Sequence, residues 1–336
     1  MDMKKKLSVL LALALAALGT AGCMQNRDPS VNWQLSDSKA NLPKLPEKLS
    51  IGRDGVPVLT VHDVSKDKNV DMDIETYVMG VVAGEMKNDW PMEALKAQAI
   101  LARTFVLKFC KDKTSKYGGA DISTDVAEAQ AYAPQSINAR VRQAVDETRG
   151  MALSWQGEFP NAWFHAHSGG MTELPSVALE YRGGDPEYLK PTASEESEKA
   201  PASVKSWTAT FTTDQVAKAC ADAGTRVDAV KKVELGERGE SGRAKAILVN
   251  GEAVSAPSFR IQIGANRLKS TLIDSVKVEG NQVTFQGRGF GHGVGLSQWG
   301  AYGMAEDGRS APEIIRNSGT AVLCSADRAI SSQWTG

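Results

Sequence analysis

The sequence predicts an α+β protein, with mixed helical and mostly antiparallel β lobes around a cleft, preceded by a signal peptide and a flexible tether. Apolar residues recur at helical spacing between residues 70 and 110, and they alternate as in strands in much of 207–285. Of the 336 residues, 42% are hydrophobic and 24% are charged, which argues against wholesale disorder and against a coiled coil. The 39 basic and 40 acidic residues nearly balance, so no nucleic-acid partner is expected.

The N-terminal segment predicts export. Three lysines at 4–6 precede an apolar run over 7–18 that is too short for a good membrane span. Cys23 follows Ala21 and Gly22 as in the lipobox of bacterial lipoproteins, although Thr20 departs from the usual Leu. We therefore expect a lipoprotein signal peptide over 1–22, lipidation of Cys23, and a protein anchored to the membrane on the cell-wall side. The alternative is an ordinary cleaved signal with an incidental cysteine.

The rest of the chain divides by composition. Residues 23–50 are rich in Asn, Ser, Lys and Pro and predict a flexible tether that reaches on the order of 30 Å. One domain is expected over 51–325, followed by a tail over 326–336. Within this domain, the helical part is expected over about 70–150 and the β-rich part over about 151–290. A Gly-rich turn and a helix are expected over 287–308. At most one disulfide is expected, and the sequence does not choose its pair among Cys110, Cys220 and Cys324.

The first predicted helix directs attention to one carboxylate. Residues 56–64 alternate as a strand, and an apolar stripe from Ile74 to Val82 then predicts a helix within 70–86. One further turn of that stripe reaches Glu85. Such a carboxylate faces the interior or a cleft wall, where desolvation raises its pKa. Alternatively, the helix ends by Gly84 and Glu85 is solvated.

The second predicted helix carries a basic residue on its apolar face. Asn88, Asp89 and Pro91 predict a capped helix start, and apolar spacing continues the helix over 92–109. Arg103 lies among the apolar positions of this helix. A buried guanidinium and a buried carboxylate either pair structurally or build a site, and periodicity leaves both readings open.

The β-rich part contains two histidines on one predicted strand. A helix is expected over 138–149, and strands over 151–155, 161–167, 246–249, 258–263, 276–278 and 283–285. His165 and His167 are two residues apart and share a face of their strand. Zinc normally needs three protein ligands, and His292 joins them only through folding. We therefore expect no metal or other cofactor, with zinc as the minor alternative.

The densest pattern is GRGFGHGVGLSQWGAYGMAEDG over 287–308. It lacks the spacing of a dinucleotide-binding loop and the lysine of a phosphate loop. Ser297 is one residue away from the nucleophile-elbow spacing of α/β-hydrolases. Alternating glycines predict backbone that approaches a neighbour closely or takes positive φ. We expect a turn that leads into a helix near Leu296 and presents His292, Ser297 and Gln298.

Three segments together resemble the SpoIID/LytB family of stage II sporulation protein D and amidase-enhancer proteins. They are residues 74–107, FHAHSGGMTE over 164–173, and the Gly-rich segment, and the resemblance covers roughly 50–320. Three features depart from the family pattern. IIRNSGT over 314–320 replaces an aromatic-rich segment that ends in PGT, Phe105 stands where Tyr is frequent, and His165 and His167 replace small hydroxyl residues.

The resemblance implies lytic cleavage of peptidoglycan glycan strands, on glycan stripped of its stem peptides, in cell-wall remodelling or sporulation. The family's catalytic acid maps onto Glu85. A lytic transglycosylase uses the substrate's own C6 hydroxyl as nucleophile, so one protonated Glu replaces the usual pair of carboxylates. The resemblance further implies glycan-binding roles for a set of polar residues and, as additional candidates, two histidines and a tryptophan: Arg103, Ser168, Thr172, His292, Ser297 and Gln298, then His165, His167 and Trp299.

The residues leave two other functions open. The first is a non-catalytic, glycan-binding enhancer of an N-acetylmuramoyl-L-alanine amidase, which would make a cell-wall amidase a partner. The second is a metal-dependent hydrolase built on His165, His167 and His292. The expected partners are therefore glycan strands, a cell-wall amidase, and the membrane through the lipid anchor.

Overall fold

The computed structural model describes residues 43–319 and the strand Leu323–Cys324. The predicted signal peptide, the lipidation site Cys23, most of the tether and the C-terminal tail lie outside these residues. The described helices are α1 Ile74–Glu85, α2 Met92–Asp112, α3 Ala139–Glu147, α4 Pro175–Ala178, α5 Ala202–Lys205, α6 Thr213–Asp222, α7 Ala256–Gly264, α8 Gln298–Glu306 and α9 Ala311–Asn317, with a 3-10 turn at Pro134–Ser136. The strands are β1 Ser50–Ile51, β2 Pro57–Asp63, β3 Lys68–Asp73, β4 Ile122–Ser123, β5 Leu153–Ser154, β6 Phe164–His165, β7 Trp207–Thr212, β8 Val233–Leu235, β9 Ala246–Val249, β10 Glu252–Ser255, β11 Ile273–Glu279, β12 Gln282–Gly287, β13 Leu296–Ser297 and β14 Leu323–Cys324. This α+β content confirms the predicted class. Within the described part of the chain, no helix has the length and apolar character that a membrane crossing requires.

The first lobe places α1 and α2 against a small sheet. Strand β2 pairs antiparallel with β1 and β3 and parallel with β4. The apolar stripe of α1 is fully buried, as predicted. The helix begins later than the predicted range, at Ile74, because residues 70–73 belong to β3. The Asp73 carboxylate ends that strand and caps the helix by accepting a hydrogen bond from the Thr76 N–H at 2.9 Å.

Helix α2 is the long central helix of this lobe. Its predicted apolar face is buried, and it packs against α1, α3, α8 and α9. The predicted side-chain cap at its start is wrong. Pro91 itself occupies the N-cap position without a side-chain hydrogen bond, and the Asn88 amide instead donates to the Ser136 carbonyl. That interaction ties the start of α2 to the 3-10 turn.

The second lobe is built on two antiparallel three-stranded sheets, in the orders β11-β12-β7 and β10-β9-β8. Helices α6 and α7 cover them, and Phe211, Phe259 and Phe285 fill the shared core. The predicted strand over 258–263 is wrong, because these residues lie in α7. Their alternation does not mark one buried face: Phe259 is buried but Ile261 is 60% exposed.

The Gly-rich segment runs back along the histidine strand. Strand β13 pairs parallel with β6, and Phe290 forms a bridge with His167 at the other end of the segment. Helix α8 then begins at Gln298, with the Ser297 hydroxyl accepting a hydrogen bond from the Gly300 N–H at 3.2 Å. The glycines at 289, 291, 293 and 295 all have positive φ. A Cβ on Gly293 would lie 2.2 Å from Nε of Arg243, so close approach and positive φ both apply, as predicted.

Candidate active site

Glu85 is the last residue of α1 and is half-buried. Its Oε1 accepts a hydrogen bond from the backbone N–H of Ala131 at 2.7 Å. Gly84 makes this contact possible, because a Cβ there would lie 2.7 Å from the carbonyl carbon of Ala131. The chain around Ala131 therefore packs closely against the end of α1 and positions the Glu85 carboxyl.

Helix α8 carries the Gly-rich segment to Glu85. The amide nitrogen of Gln298 is 3.3 Å from both the backbone oxygen of Glu85 and Oε1 of Gln98. The structure thus joins Glu85 to the predicted residue Gln298. Burial raises the pKa of Glu85 above its ordinary value, and hydrogen bonds from the Ala131 N–H and the Gln298 side chain offset part of that rise.

Sequence reasoning missed two glutamines in this region. Gln98 is fully buried on α2, and its Nε2 has no hydrogen-bond partner in the structure. Gln130 precedes the residue that bonds Glu85, is 3% exposed, and has no partner for either amide atom. Gln98 could have been found, because it lies three residues after Leu95 on the apolar face of α2. Gln130 lies in a loop without periodicity.

Arg103 has a structural partner, which corrects its predicted substrate role. It is fully buried, and its Nε and Nη2 donate to the carboxylate of Glu75 at 3.0 and 2.5 Å. Its Nη1 donates to the Met151 carbonyl at 2.8 Å. The guanidinium presents no surface to a glycan. The pair joins α1, α2 and the chain that leads into β5, because Glu75 also accepts from the Gly150 N–H at 3.2 Å.

Two predicted glycan-binding serines instead surround one missed carboxylate, Glu196. Oε1 of Glu196 accepts from the Ser168 N–H at 2.8 Å and also from the Ser168 hydroxyl, and Oε2 accepts from the Ser297 hydroxyl at 2.9 Å. Ser194 donates to the same carboxylate at 2.9 Å. Both predicted serines are buried, at 0% and 2% exposed, so their hydroxyls hold the loop rather than face a ligand. No periodicity surrounds Glu196 in the sequence, and no signal there singled it out.

Thr172 and Trp299 are also buried. The Thr172 hydroxyl accepts from the Thr192 N–H at 2.9 Å, so its predicted contact with glycan is not supported. Trp299 is 9% exposed and packs on Trp90 and Tyr302, with ring centroids 4.5 and 5.3 Å away. The core role that the sequence left open is therefore the role that the structure supports for this tryptophan.

The three histidines cluster beside the Gly-rich segment. His165 is buried and its Nδ1 is 3.1 Å from the Val294 carbonyl, while its Nε2 has no partner in the structure. The His292 ring lies 5.6 Å from the His165 ring, and burial lowers the pKa of His292 to about 3. Nδ1 of His167 accepts from the Gly169 N–H at 3.0 Å, which leaves its proton on Nε2, 3.7 Å from Glu196.

These histidines do not assemble a metal site. Across residues 43–319, no group of three or more His, Cys, Asp or Glu residues is arranged to hold a metal ion. Backbone groups already engage Nδ1 of His165, His167 and His292. Burial lowers the pKa of both His165 and His292, so both rings are neutral near pH 7.

Comparisons with known proteins give the following similarities. A family model described as "Stage II sporulation protein" matches residues 64–155, and another described as "Domain of unknown function (DUF8618)" matches residues 187–295. An uncharacterised protein of Brachyspira hyodysenteriae is 31% identical to this chain, and the aligned region covers 73% of this chain and 65% of that relative's length. Stage II sporulation protein D of Bacillus amyloliquefaciens is 28% identical over 91% of this chain and 88% of its own. An amidase enhancer of Bacillus subtilis is 28% identical over 70% of this chain and 38% of its own.

Proposed function

The chain belongs to the SpoIID/LytB family, and on that premise we propose that it cleaves peptidoglycan glycan strands as a lytic transglycosylase with Glu85 as its single acid and base. The observation that supports this most directly is the environment of Glu85. Burial raises its pKa, and the interactions that lower it are hydrogen bonds from the Ala131 N–H and the Gln298 side chain. A carboxyl with a raised pKa stays protonated up to a higher pH than an exposed carboxyl does, as a general acid requires.

In this mechanism two protons move in turn, one from Glu85 and one to it. Glu85 donates its proton to the glycosidic oxygen while the bond between that oxygen and C1 of the muramyl ring breaks. The resulting carboxylate takes the proton of the C6 hydroxyl, whose oxygen forms a bond to C1 and closes the 1,6-anhydro ring. The acid is regenerated and no water is consumed.

The other buried carboxylates support a single-acid mechanism. Glu75 is held by Arg103, and Glu196 accepts from three serines. Glu173 accepts from Ser241 and from the Leu174 N–H. Because internal donors occupy these groups, they are poor candidates for the second carboxylate of a hydrolase.

The proposal places the substrate cleft between the end of α1 and the Gly-rich segment. The Gln298 amide joins these two elements at Glu85. We propose peptide-stripped glycan as the substrate and a lipid anchor at Cys23 that holds the domain at the cell-wall side of the membrane. No cofactor is required by the proposed chemistry.

The second candidate function is a glycan-binding enhancer of a cell-wall amidase, which the name of the Bacillus subtilis relative favours. One experiment separates the two. Purified protein is incubated with denuded glycan strands, and the products are analysed by mass spectrometry. Cleavage predicts anhydro-muramyl ends from wild-type protein and from the exposed control Glu279→Gln, but not from Glu85→Gln. An enhancer would give no such ends and would stimulate an added amidase equally well with Glu85→Gln.

A further inference from the structure

A cavity lies apart from Glu85, between α2 and the loops that follow β5 and α4. Its volume is about 310 Å³, at the low end of the roughly 300–1,000 Å³ of ligand pockets, so it suits one small ring. Four aromatic residues contribute to its wall: Trp155, Phe159, Tyr181 and Tyr188. Polar side chains complete the wall: Lys108, Glu158, Asn161 and Asp185.

The aromatic wall is held in place by the surrounding chain. The Tyr188 hydroxyl accepts a hydrogen bond from the Asn161 N–H at 2.9 Å, and its ring lies 5.7 Å from that of Trp155. Tyr181 is 37% exposed. Gly183 passes so close to it that a Cβ there would lie 2.5 Å from the Tyr181 hydroxyl oxygen. The cavity therefore presents a positioned aromatic face to solvent.

The charged groups of the wall argue against an anionic ligand. Its cation, Lys108, is paired with Asp112 at 2.8 Å, and Glu158 is paired with Lys111. No unpaired cation of the wall is available for a phosphate or a carboxylate. Both oxygens of the Asp185 carboxylate accept from Ser176, at 2.8 and 2.6 Å. The Asn161 amide and the Tyr181 hydroxyl remain to hydrogen-bond hydroxyl and amide groups of a ligand. A pyranose has this chemistry, because its C–H groups form an apolar face that packs on aromatic rings while its hydroxyls point to the sides.

We propose that this cavity is a secondary saccharide subsite that binds one N-acetylhexosamine ring of a glycan strand. The proposal rests on the proposed function for its choice of sugar. Lys108 is ten residues beyond Gln98 on α2, which places the two regions about 15 Å apart along the helix. A strand of several rings is therefore needed to occupy both, and the subsite strengthens binding of long strands over short ones.

The test measures binding in a Glu85→Gln background, so that bound glycan is not cleaved. Isothermal titration calorimetry compares denuded glycan strands with short N-acetylglucosamine oligosaccharides. Tyr181→Ala is expected to weaken strand binding about two- to tenfold, the effect of losing one aromatic contact. The control Ile261→Ala truncates an exposed side chain on the second lobe, 60% exposed, and should leave affinity unchanged. Trp155→Phe is a second variant for the case that Tyr181→Ala alters the fold. It should also weaken strand binding.

The outcomes separate this proposal from the proposed function. Unchanged strand affinity in folded Tyr181→Ala and Trp155→Phe overturns the subsite, even if Glu85→Gln abolishes cleavage. Weakened binding supports the subsite, even if the wild-type protein proves unable to cleave glycan. Binding of a free stem peptide at the cavity, lost in Tyr181→Ala, would overturn the assignment to a saccharide.

Discussion

Replacing Arg103 by Met distinguishes a structural role from the glycan-binding role that the sequence suggested. The guanidinium is fully buried, and all three of its nitrogens donate to protein acceptors. Its loss would leave the Glu75 carboxylate buried with the Gly150 N–H as its remaining donor among these contacts. Removing one partner of a buried pair costs about 3–5 kcal/mol, a large part of a typical free energy of unfolding.

Urea denaturation followed by circular dichroism measures this loss. Arg103→Met should lower the midpoint strongly, whereas Lys218→Met, which removes the exposed pair with Asp222, should change the free energy of unfolding by no more than about 0.5 kcal/mol. The double variant Glu75→Leu/Arg103→Met should be more stable than the two separate losses predict, because it leaves no unpaired charge. A loss below about 1 kcal/mol for Arg103→Met, together with abolished glycan cleavage, would refute this reasoning.

Three further predictions concern the site and its supporting loop. Gln298→Leu removes a hydrogen bond that favours the ionised form of Glu85, so the pKa of Glu85 rises. The alkaline limb of the profile of kcat against pH should therefore move up by about one pH unit. An alkaline limb at the wild-type pH would contradict this. Gly293→Ala should unfold at a clearly lower temperature than Gly308→Ala, since both have positive φ but only the first would bring a Cβ against a guanidinium; equal melting temperatures would exclude the close approach. Glu196→Ala leaves buried serine donors unpaired and should lower the melting temperature, measured by calorimetry, while an unchanged temperature would show that water replaces the carboxylate.

The helices of the first lobe were predictable because periodicity reports burial on a single element. The stripe of α1 and the apolar face of α2 are buried as expected, and Glu85 lies at the end of that stripe. The sequence also indicated that Arg103 lies among the apolar positions of α2. It did not identify the partner of Arg103, although Glu75 lies three residues before Val78 on the same stripe. Pairing between helices depends on their crossing, which periodicity does not encode.

The residues missed by the sequence lie where backbone geometry sets the environment. Glu196 occupies a loop whose contacts with Ser168 and Ser297 span 28 and 101 residues of chain. The predicted strand over 258–263 failed for a related reason. Short apolar alternation fits a helix as well as a strand, and Pro257 near the start of α7 favours the helix.

The origin of the oxygen at the new chain ends tests the proposed mechanism most directly. Denuded glycan is digested in water enriched in a heavy oxygen isotope, and the masses of the products are measured by mass spectrometry. The proposed mechanism predicts anhydro ends that contain no solvent oxygen, produced by wild-type protein and absent with Glu85→Gln. New reducing muramyl ends in place of anhydro ends, or anhydro ends that persist in Glu85→Gln, would contradict a mechanism in which one carboxyl gives a proton to the glycosidic oxygen and takes another from the C6 hydroxyl.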